Sequence, residues 1–341
     1  MDDVDRGILM EIQLNFPVIH RPFLHIGEKI DLEESQVMHR VDSLRQKGTI
    51  RGIGPVFNVA NLGFVSTLVG AKVQKKSIEE IARCINRYPG VTHNYEREGS
   101  YNLWFTITAV DDLSLGKILV DIQGYNNIDR IVNLPCRRVF KIHVLFQTMN
   151  LDSINKVYDN RCNDKNSNLN MSYVTEYITL NDTERDIIKV LEDGLSITAK
   201  PYFEVASQAG ISEELVLTTL RRWLKNGFIR RNGARLAHRK IGYTHNAMCV
   251  LLVDEERISE TGGLLAKLDG LSHCYERLSS APDWPFNLYA MVHGRKQEEL
   301  AINIERVLEI ARPSDYRILK SLREFKKTSL PLTKLLNNGN L

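Results

Sequence analysis

The sequence predicts an α+β protein formed by tandem duplication of one unit, a winged helix-turn-helix followed by a ferredoxin-like β-α-β-β-α-β domain. Three observations support this prediction: an internal repeat, short amphipathic helices at the start of each repeat, and alternating strands and helices in the remainder. The 341 residues are 43% hydrophobic and 26% charged, a composition typical of a soluble globular protein with two or more domains.

The internal repeat covers nearly the whole chain. The stretch RPFLHIGEKIDLEESQVMHRVDSLRQKGTIR begins at Arg21 and corresponds to KPYFEVASQAGISEELVLTTLRRWLKNGFIR, which begins at Lys200. Further on, VTHNYERE and YNLWFTI correspond to LSHCYERL and FNLYAMV, with a few extra residues around SSAPDW in the second copy. Two diverged copies of one unit explain this pattern, and we expect their sheets to face each other across a pseudo-twofold axis.

The repeat predicts six segments. They are a helix-turn-helix over 1–60, a ferredoxin-like domain over 61–148, a flexible linker over 149–177, a second helix-turn-helix over 178–241, a second ferredoxin-like domain over 242–330, and a tail over 331–341. The linker is rich in Asn, Asp and Ser and has no helical periodicity, and the tail ends in NNGNL and is expected to fray.

Each helix-turn-helix is predicted from capping residues and a terminal hairpin. In the first copy we expect Asp31 to cap a helix that ends at Gly48, and in the second Ser212 caps the equivalent helix, which ends at Gly227. A Gly-x-Ile-Arg hairpin then forms the wing of each copy.

Each ferredoxin-like domain is predicted from alternating apolar runs. In the first copy we expect strands over 66–73, 91–97, 101–109 and 138–146, with helices over 78–88 and 113–123. In the second copy we expect strands over 247–253, 271–278, 287–293 and 316–323, with helices over 258–268 and 298–310.

Composition excludes several classes of protein. The net charge is only +3, so the chain is not a polycation that coats nucleic acid. No apolar run is long enough to span a membrane, and the acidic N-terminus is unlike a signal peptide, so we expect a cytoplasmic protein. The five cysteines form no CxxC pair and are interpreted as reduced thiols.

The candidate site lies on the strands after the wings. Because alternate residues of a strand share a face, His93, Tyr95 and Arg97 are expected to project together, as are their counterparts in the second copy. The full set of candidates with polar, cationic or flat aromatic side chains is His93, Tyr95, Arg97, Tyr101, Asn102, Trp104, Arg138, Lys141, His273, Tyr275, Arg277, Trp284, Asn287, His293, Arg323 and Lys326. Such a site suits a large, flat, polyanionic ligand that carries iron.

Other interpretations of these residues stay open. A single His-x-Tyr-x-Arg strand is most often simply amphipathic, and Trp104 and Trp284 are equally suited to a core. The helix-turn-helix parts also suggest DNA binding as an alternative function, because arginines follow the start of each recognition helix. The acidic start of those helices, at Glu33 and Glu34 and again at Glu213 and Glu214, opposes phosphate contact, so we expect a packing role instead.

The order of domains resembles the Lrp/AsnC feast/famine regulators. The segments VTHNYEREGSYNLWFTI and LSHCYERLSSAPDWPFNLYAMVHGR are more specific and resemble the two subunits of the sirohaem (siroheme) decarboxylases, an enzymatic branch of that superfamily. In that family two related subunits form a heterodimer, so this chain resembles a fusion of both. One departure is an exchange of aromatic type at Phe286 and Tyr289.

The resemblance implies an activity, a ligand and a pairing. The activity is removal of two acetate carboxyl groups of sirohaem as CO2, giving 12,18-didecarboxysirohaem for haem d1 or alternative haem synthesis. No separate cofactor is implied beyond the iron of the substrate. The two copies are expected to pair within the chain, with further homo-oligomers allowed and no membrane or specific DNA partner. The alternative is a haem- or sirohaem-responsive regulator of the Lrp/AsnC type.

The residues suggest unequal roles for the two copies. His273 and His293 are the leading candidates for proton donor or iron ligand, Tyr275 is the next donor, and His93 and Tyr95 are their counterparts. Either His273 or His93 is the expected axial ligand of the substrate iron. Since the first copy has Thr108 where the second has His293, we place the chemistry mainly in the second copy.

Overall fold

The structure is a computed structural model that describes residues 1–142 and 177–338. Nearly all of the expected linker lies outside the described residues. The described chain forms two compact units: one contains residues 1–62 and 177–242, and the other contains residues 63–142 and 243–338. Each unit therefore combines equivalent parts of both copies.

The elements follow the duplicated order. In the first copy they are α1 (Asp3–Leu14), α2 (Pro22–Ile30), α3 (Glu34–Gln46), β1 (Ile50–Phe57), β2 (Val65–Val73), α4 (Ile78–Ile85), β3 (Val91–Arg97), β4 (Leu103–Ala109), α5 (Asp112–Gln123) and β5 (Ile128–Lys141). In the second copy they are α6 (Asp182–Leu191), α7 (Pro201–Ala209), α8 (Glu213–Lys225), β6 (Ile229–Leu236), β7 (His245–Leu252), α9 (Glu255–Ala266), β8 (Leu271–Arg277), β9 (Leu288–Gly294), α10 (Gln297–Ala311), β10 (Asp315–Lys327) and α11 (Leu332–Asn338).

The recognition helices begin at different kinds of cap. Ser212 caps α8 as expected, since its hydroxyl accepts a hydrogen bond from the backbone N–H of Leu215. The expected cap at Asp31 is wrong. Asp31 has φ 56° and closes α2 in the left-handed conformation that Asp tolerates, so α3 starts two residues later, with Glu33 at its N-cap.

The wings pair between the copies. We expected a hairpin within each copy, but each copy contributes one strand, and β1 and β6 form an antiparallel pair in which Gly54 lies opposite Gly233. Gly233 is required there, because a Cβ atom would lie 2.6 Å from the Gln13 carbonyl oxygen. The two helix-turn-helix parts are thus joined by backbone hydrogen bonds.

Eight strands of the described residues close into a barrel in the order β10-β3-β4-β2-β5-β8-β9-β7. The arrangement β3-β4-β2-β5 is the ferredoxin-like sheet of the first copy, and β8-β9-β7-β10 is that of the second. The last strand of each copy joins them, because β5 pairs with both β2 and β8, and β10 with both β7 and β3. These strands begin at Ile128 and Asp315, so β5 starts ten residues earlier than expected.

Helices cover the outer face of each sheet. Side chains of α4 and α5 pack on the first sheet and those of α9 and α10 on the second. The inner faces meet in a third apolar cluster within the barrel, which includes Trp104, Trp284, Phe286 and Tyr289. The two sheets therefore face each other, as the duplication predicts.

The tail is more ordered than expected. Residues 332–338 form α11, and Leu332 and Leu335 are buried. Burial of these two side chains, one turn apart, explains why this part of the tail does not fray. Within residues 1–142 and 177–338, no helix has the length and apolar character needed to cross a bilayer.

Candidate functional site

The two His-x-Tyr-x-Arg strands lie on opposite sides of the barrel. In the closed order, β3 and β8 are four strands apart in either direction. The rings of His93 and Tyr95 stack with their centroids 6.4 Å apart, and those of His273 and Tyr275 stack at 5.9 Å. The alternation in the sequence therefore brings both triads to the inner surface of the barrel, where they face each other.

His273 is linked to a second imidazole. Its Nδ1 lies 2.8 Å from the hydroxyl oxygen of Ser272, which also lies 2.7 Å from Nε2 of His293. Burial, acting together with neighbouring groups that include Lys327 and Arg277, lowers the pKa of His273 to about 3. The ring is therefore a neutral imidazole near pH 7, which can bind a metal but cannot act as an imidazolium acid.

His93 has hydroxyl neighbours in place of the second imidazole. Its Nδ1 lies 2.9 Å from the Thr92 hydroxyl and 3.5 Å from that of Thr106. Thr108, the counterpart of His293, contacts the Ser66 hydroxyl at 2.7 Å instead. The two copies share an imidazole–hydroxyl pair, but only the second copy extends it to another histidine.

Arg97 and Arg277 are buried and only partly hydrogen-bonded. Arg97 donates to the carbonyl oxygen of Leu319 and to the Ser321 hydroxyl, while Arg277 donates to the carbonyl oxygen of Leu134. Among the described residues, the Nε atom of neither arginine has a hydrogen-bond partner. Burial lowers the pKa of Arg97 to about 10, so it still carries its charge at neutral pH. The site thus offers two buried cationic donors to an anionic ligand.

The last strands give the two triads different neighbours. On β10, Glu324 lies opposite Tyr95 and accepts a hydrogen bond from its hydroxyl at 3.2 Å, and Lys327 lies opposite His93. On β5, the residue opposite Tyr275 is Val139. The first triad therefore has charged neighbours, whereas the second has an apolar one.

Four expected cationic ligands lie on the wrong face of the sheets. Arg138 pairs with Glu276 and Arg323 with Glu96, on the outer, helix-covered face. Lys141 and Lys326 donate there to the carbonyl oxygens of Leu268 and Asn86, which follow α9 and α4 respectively.

The cause is a pair of irregularities in each last strand. On β5 the register shifts between Cys136 and Arg138 and again between Val139 and Lys141, and β10 shifts at the equivalent places, after Ser321 and after Glu324. The first shift of each strand changes the face of the arginine, and the second that of the lysine. These four side chains therefore lie away from the inner surface that carries the two triads, and their role in ligand binding stays a prediction.

Two asparagines that were expected to contact the ligand hold the backbone of a neighbouring strand. The side-chain amide of Asn102 bonds to the backbone N–H and carbonyl of Val73, and that of Asn287 bonds in the same way to Val253. Both amides are used to hold the end of the neighbouring strand. Ligand binding by Asn102 and Asn287 stays a prediction, since both amides already have these backbone partners.

The aromatic residues that were expected to cover the faces of a flat ligand lie in an apolar core. Trp104 and Trp284 are 1% and 4% exposed and pack on each other with centroids 5.4 Å apart. Tyr101 packs on both, and its hydroxyl donates to Asp283. The core interpretation of the two tryptophans is correct, because their faces are already covered by protein.

Three residues near the site were not predicted from the sequence: Ser272, Glu324 and Asp283. Ser272 precedes His273, and a register shift in β8 turns both toward the inner face. Asp283 lies in the extra loop of the second copy and binds Lys72 and Arg130 of the first. The sequence shows the extra loop but does not show which residues of the first copy Asp283 contacts.

The arginines of the helix-turn-helix unit are largely engaged within that unit. Arg40 pairs with Asp2 and Asp5 at 2.8 Å, and Arg222 pairs with Glu184. Arg231 donates to the Gln13 carbonyl oxygen, and burial lowers its pKa. These contacts favour the packing role over phosphate binding.

Comparison with known proteins identifies the family. The family described as AsnC-like ligand binding domain matches residues 61–141 and 240–326, and the siroheme decarboxylase NirDL-like HTH domain matches residues 5–51 and 184–230. A siroheme decarboxylase of Hydrogenobacter thermophilus is 32% identical, covering 95% of this chain and 93% of that protein. The chain belongs to the siroheme decarboxylase family.

Two further relatives agree with a fused architecture. A siroheme decarboxylase beta subunit of Oleidesulfovibrio alaskensis is 44% identical and covers 45% of this chain but 96% of that subunit. The crystal structure of the siroheme decarboxylase NirDL in complex with an iron-uroporphyrin III analogue matches with a TM-score of 0.70 and 27% identity, covering 99% of each chain. Within this family, the present chain therefore holds in one polypeptide what other members divide between subunits.

Proposed function

We propose that this chain decarboxylates sirohaem, releasing two acetate carboxyl groups as CO2 to give 12,18-didecarboxysirohaem. The observation that carries the proposal is the pair of His-x-Tyr-x-Arg triads that face each other inside the barrel. Membership of the siroheme decarboxylase family supports the same conclusion. The product serves a later step of haem d1 or alternative haem synthesis.

The buried arginines bind the carboxylates that the reaction spares. Arg97 and Arg277 each keep one buried N–H without a partner among the described residues, and each lies beside a tyrosine ring. A buried donor without an acceptor is costly, so a substrate carboxylate at this place is favourable. Lys327, the last residue of β10, lies opposite His93 and adds a third cation.

The iron of the substrate is bound by an imidazole. His273 suits this role because burial keeps it neutral, and its Nδ1 is already hydrogen-bonded to Ser272, which leaves Nε2 for the metal. His93 is the equivalent ligand for a macrocycle held by the first triad. No separate cofactor takes part, since the conjugated macrocycle accepts the electrons of the broken bond.

The chemistry requires a proton at the carbon that loses CO2. When the bond between the methylene carbon and the carboxylate breaks, the electron pair stays on that carbon and delocalises into the pyrrole ring. A donor then protonates the carbon, and such help is worth about 10²- to 10⁴-fold. With His273 on the iron, His293 and Tyr275 are the donors in the second copy, and Tyr95 is the donor in the first.

The second triad is the main reaction centre. Tyr275 lies opposite Val139, an apolar side chain that offers no hydrogen bond to a substrate carboxylate. Ser272 also links His273 to the imidazole of His293. A poorly solvated carboxylate is destabilised relative to a neutral departing CO2. The negative charge of Glu324, next to Tyr95, repels a substrate carboxylate, and this makes the first triad the weaker centre.

The direct test is anaerobic incubation of the purified protein with sirohaem, followed by mass spectrometry. We expect successive loss of one and then two CO2. Binding of sirohaem without loss of mass would overturn the proposal and favour the alternative, a haem- or sirohaem-responsive regulator. That alternative requires sequence-specific DNA binding with a steep salt dependence, which a retardation assay at physiological salt measures directly.

A further inference from the structure

Ser272 lies between two imidazoles at the second triad. A register shift between Leu271 and His273 on β8 turns the serine toward the inner face, beside the histidine that follows it. Its Oγ is 2.8 Å from Nδ1 of His273 and 2.7 Å from Nε2 of His293. Both distances are those of strong hydrogen bonds.

The single hydroxyl proton couples the two rings. A serine hydroxyl donates one hydrogen bond and accepts others, so it must accept from one imidazole N–H and donate to the other ring. Its next acceptor, the Met291 carbonyl oxygen, is 3.5 Å away, which is too long to compete. Two arrangements result, and they differ in which nitrogen of His273 carries the proton.

The two arrangements present different atoms of His273 to the inner surface of the barrel. Within the described part of the chain, its ring makes a hydrogen bond only through Nδ1. If Nδ1 carries the proton and donates to Ser272, then Nε2 presents a lone pair to the inner surface of the barrel. In the opposite arrangement Nε2 carries the proton and cannot bind a metal.

We propose that Ser272 is a positioning residue that holds His273 in the Nδ1–H tautomer, by accepting from its Nδ1 and donating to Nε2 of His293. This inference rests on the proposed function, because the lone pair on Nε2 is then directed at the iron of the tetrapyrrole. Hydrogen-bond partners of metal-ligating histidines commonly set the tautomer in this way, and their loss costs about 10- to 100-fold in metal affinity.

The first copy provides a matched comparison. Thr92, the counterpart of Ser272, has its Oγ1 2.9 Å from Nδ1 of His93 and 3.0 Å from Oγ1 of Thr106. Thr106 is itself a hydroxyl that can donate or accept, so no second imidazole directs the proton of Thr92. Control of the tautomer by a partner imidazole is therefore specific to the second copy.

The experiment measures iron ligation separately from turnover. Iron-uroporphyrin III is titrated into the protein in a His93→Ala background, so that only the second triad can supply an imidazole. Absorption and electron paramagnetic resonance spectra report the axial ligand, and the titration gives Kd. In the same background, Ser272→Ala should raise Kd about 10- to 100-fold and weaken the imidazole signature. Ser272→Thr should restore both, and Thr92→Ala should change neither.

A second readout needs no ligand. In protein labelled with ¹⁵N-histidine, the ring signals of His273, assigned by their loss in His273→Gln, should show a protonated Nδ1. In Ser272→Ala they should show a mixture of tautomers or protonation at Nε2. If Ser272→Ala unfolds the protein, Ser272→Cys replaces it in both measurements, because a thiol keeps the volume but donates weakly.

Failure of this inference is separable from failure of the proposed function. An unchanged Kd, spectrum and tautomer in Ser272→Ala would overturn the role of Ser272, as would the lack of an imidazole signature in the His93→Ala protein. Sirohaem turnover is measured on the same preparations. An intact imidazole signature with no loss of CO2 would overturn the proposed function and leave the role of Ser272 supported.

Discussion

The guanidinium of Arg277 donates a hydrogen bond of 2.8 Å to the backbone carbonyl oxygen of Leu134, so a cation of the second copy is held by a strand of the first. The reverse contact is also present, from Arg97 to the carbonyl oxygen of Leu319. Each half of the barrel thus orients the arginine of the other. Pairing of the two copies is consequently part of the construction of the site, and a single copy would lack it.

Substitution of either arginine should weaken substrate binding. In Arg277→Gln the carbonyl contact can be kept, but the charge and the free Nε–H are lost, so KM for sirohaem should rise about tenfold, the equivalent of one charge-assisted hydrogen bond. Arg323→Gln is the matched control, because Arg323 pairs with Glu96 on the outer face and should leave KM unchanged. Equal effects of the two variants would contradict the placement of the binding surface.

Histidine substitutions should rank the two triads. We expect His273→Ala and His293→Ala each to lower the rate at least about tenfold, in line with the loss of a proton donor or metal ligand. His93→Ala should cost less, because Thr108 and Glu324 make the first triad the weaker centre. Anaerobic initial rates measure the ranking. It fails if His93→Ala abolishes turnover while both variants of the second copy stay active.

Cleavage of the linker should leave the protein assembled and active. The cut is introduced between Tyr158 and Asn170, within the residues that lie outside the described part of the chain. The halves are held by β1–β6 in one unit and by β5–β8 and β10–β3 in the other. Size-exclusion chromatography with light scattering should show one complex of both fragments. Separation at micromolar concentration would indicate pairing between chains instead.

Gly70→Ala should destabilise the barrel. An added Cβ would lie 2.9 Å from the Trp104 ring, so the aromatic core would have to shift, at a cost of about 1–3 kcal/mol. Gly116→Ala on α5 is the control, since an added Cβ would meet no heavy atom within 4 Å beyond the adjoining residues and backbone of its own helix, and alanine favours helix by up to about 1 kcal/mol. Thermal denaturation should therefore show opposite shifts in Tm for the two variants.

The core cysteines should resist alkylation in the native protein. Burial raises the pKa of the Cys249 and Cys274 thiols to about 12. The reactive thiolate is therefore scarce near pH 8, and its fraction grows only as the pH approaches the pKa. Iodoacetamide at pH 8, read by peptide mass spectrometry, should label the less buried Cys84 and Cys136 before Cys249 and Cys274. Denatured protein should be labelled at all cysteines, and rapid native labelling of Cys249 would contradict its burial.

Much of the candidate site could be predicted from local sequence. The two His-x-Tyr-x-Arg strands needed only the alternation of a strand, and the duplication placed them on equivalent strands of facing sheets. Arg138, Lys141, Arg323 and Lys326 were included only because they are cations near the last strands, and register shifts in β5 and β10 place them on the outer face. Such a shift has no clear signal in a single sequence, since it is set by pairing with a strand of the other copy.

The sequence by itself determined the duplicated unit, its element types and the triads, because periodicity and repetition are properties of neighbouring residues. Only the tertiary structure decided the partners of these elements. It paired β1 with β6 between the copies and placed Trp104 and Trp284 in a shared core. It also brought Ser272 between His273 and His293, which are twenty residues apart in the chain. These outcomes depend on backbone pairing and on the volume available between two sheets, and neither is encoded within one local segment.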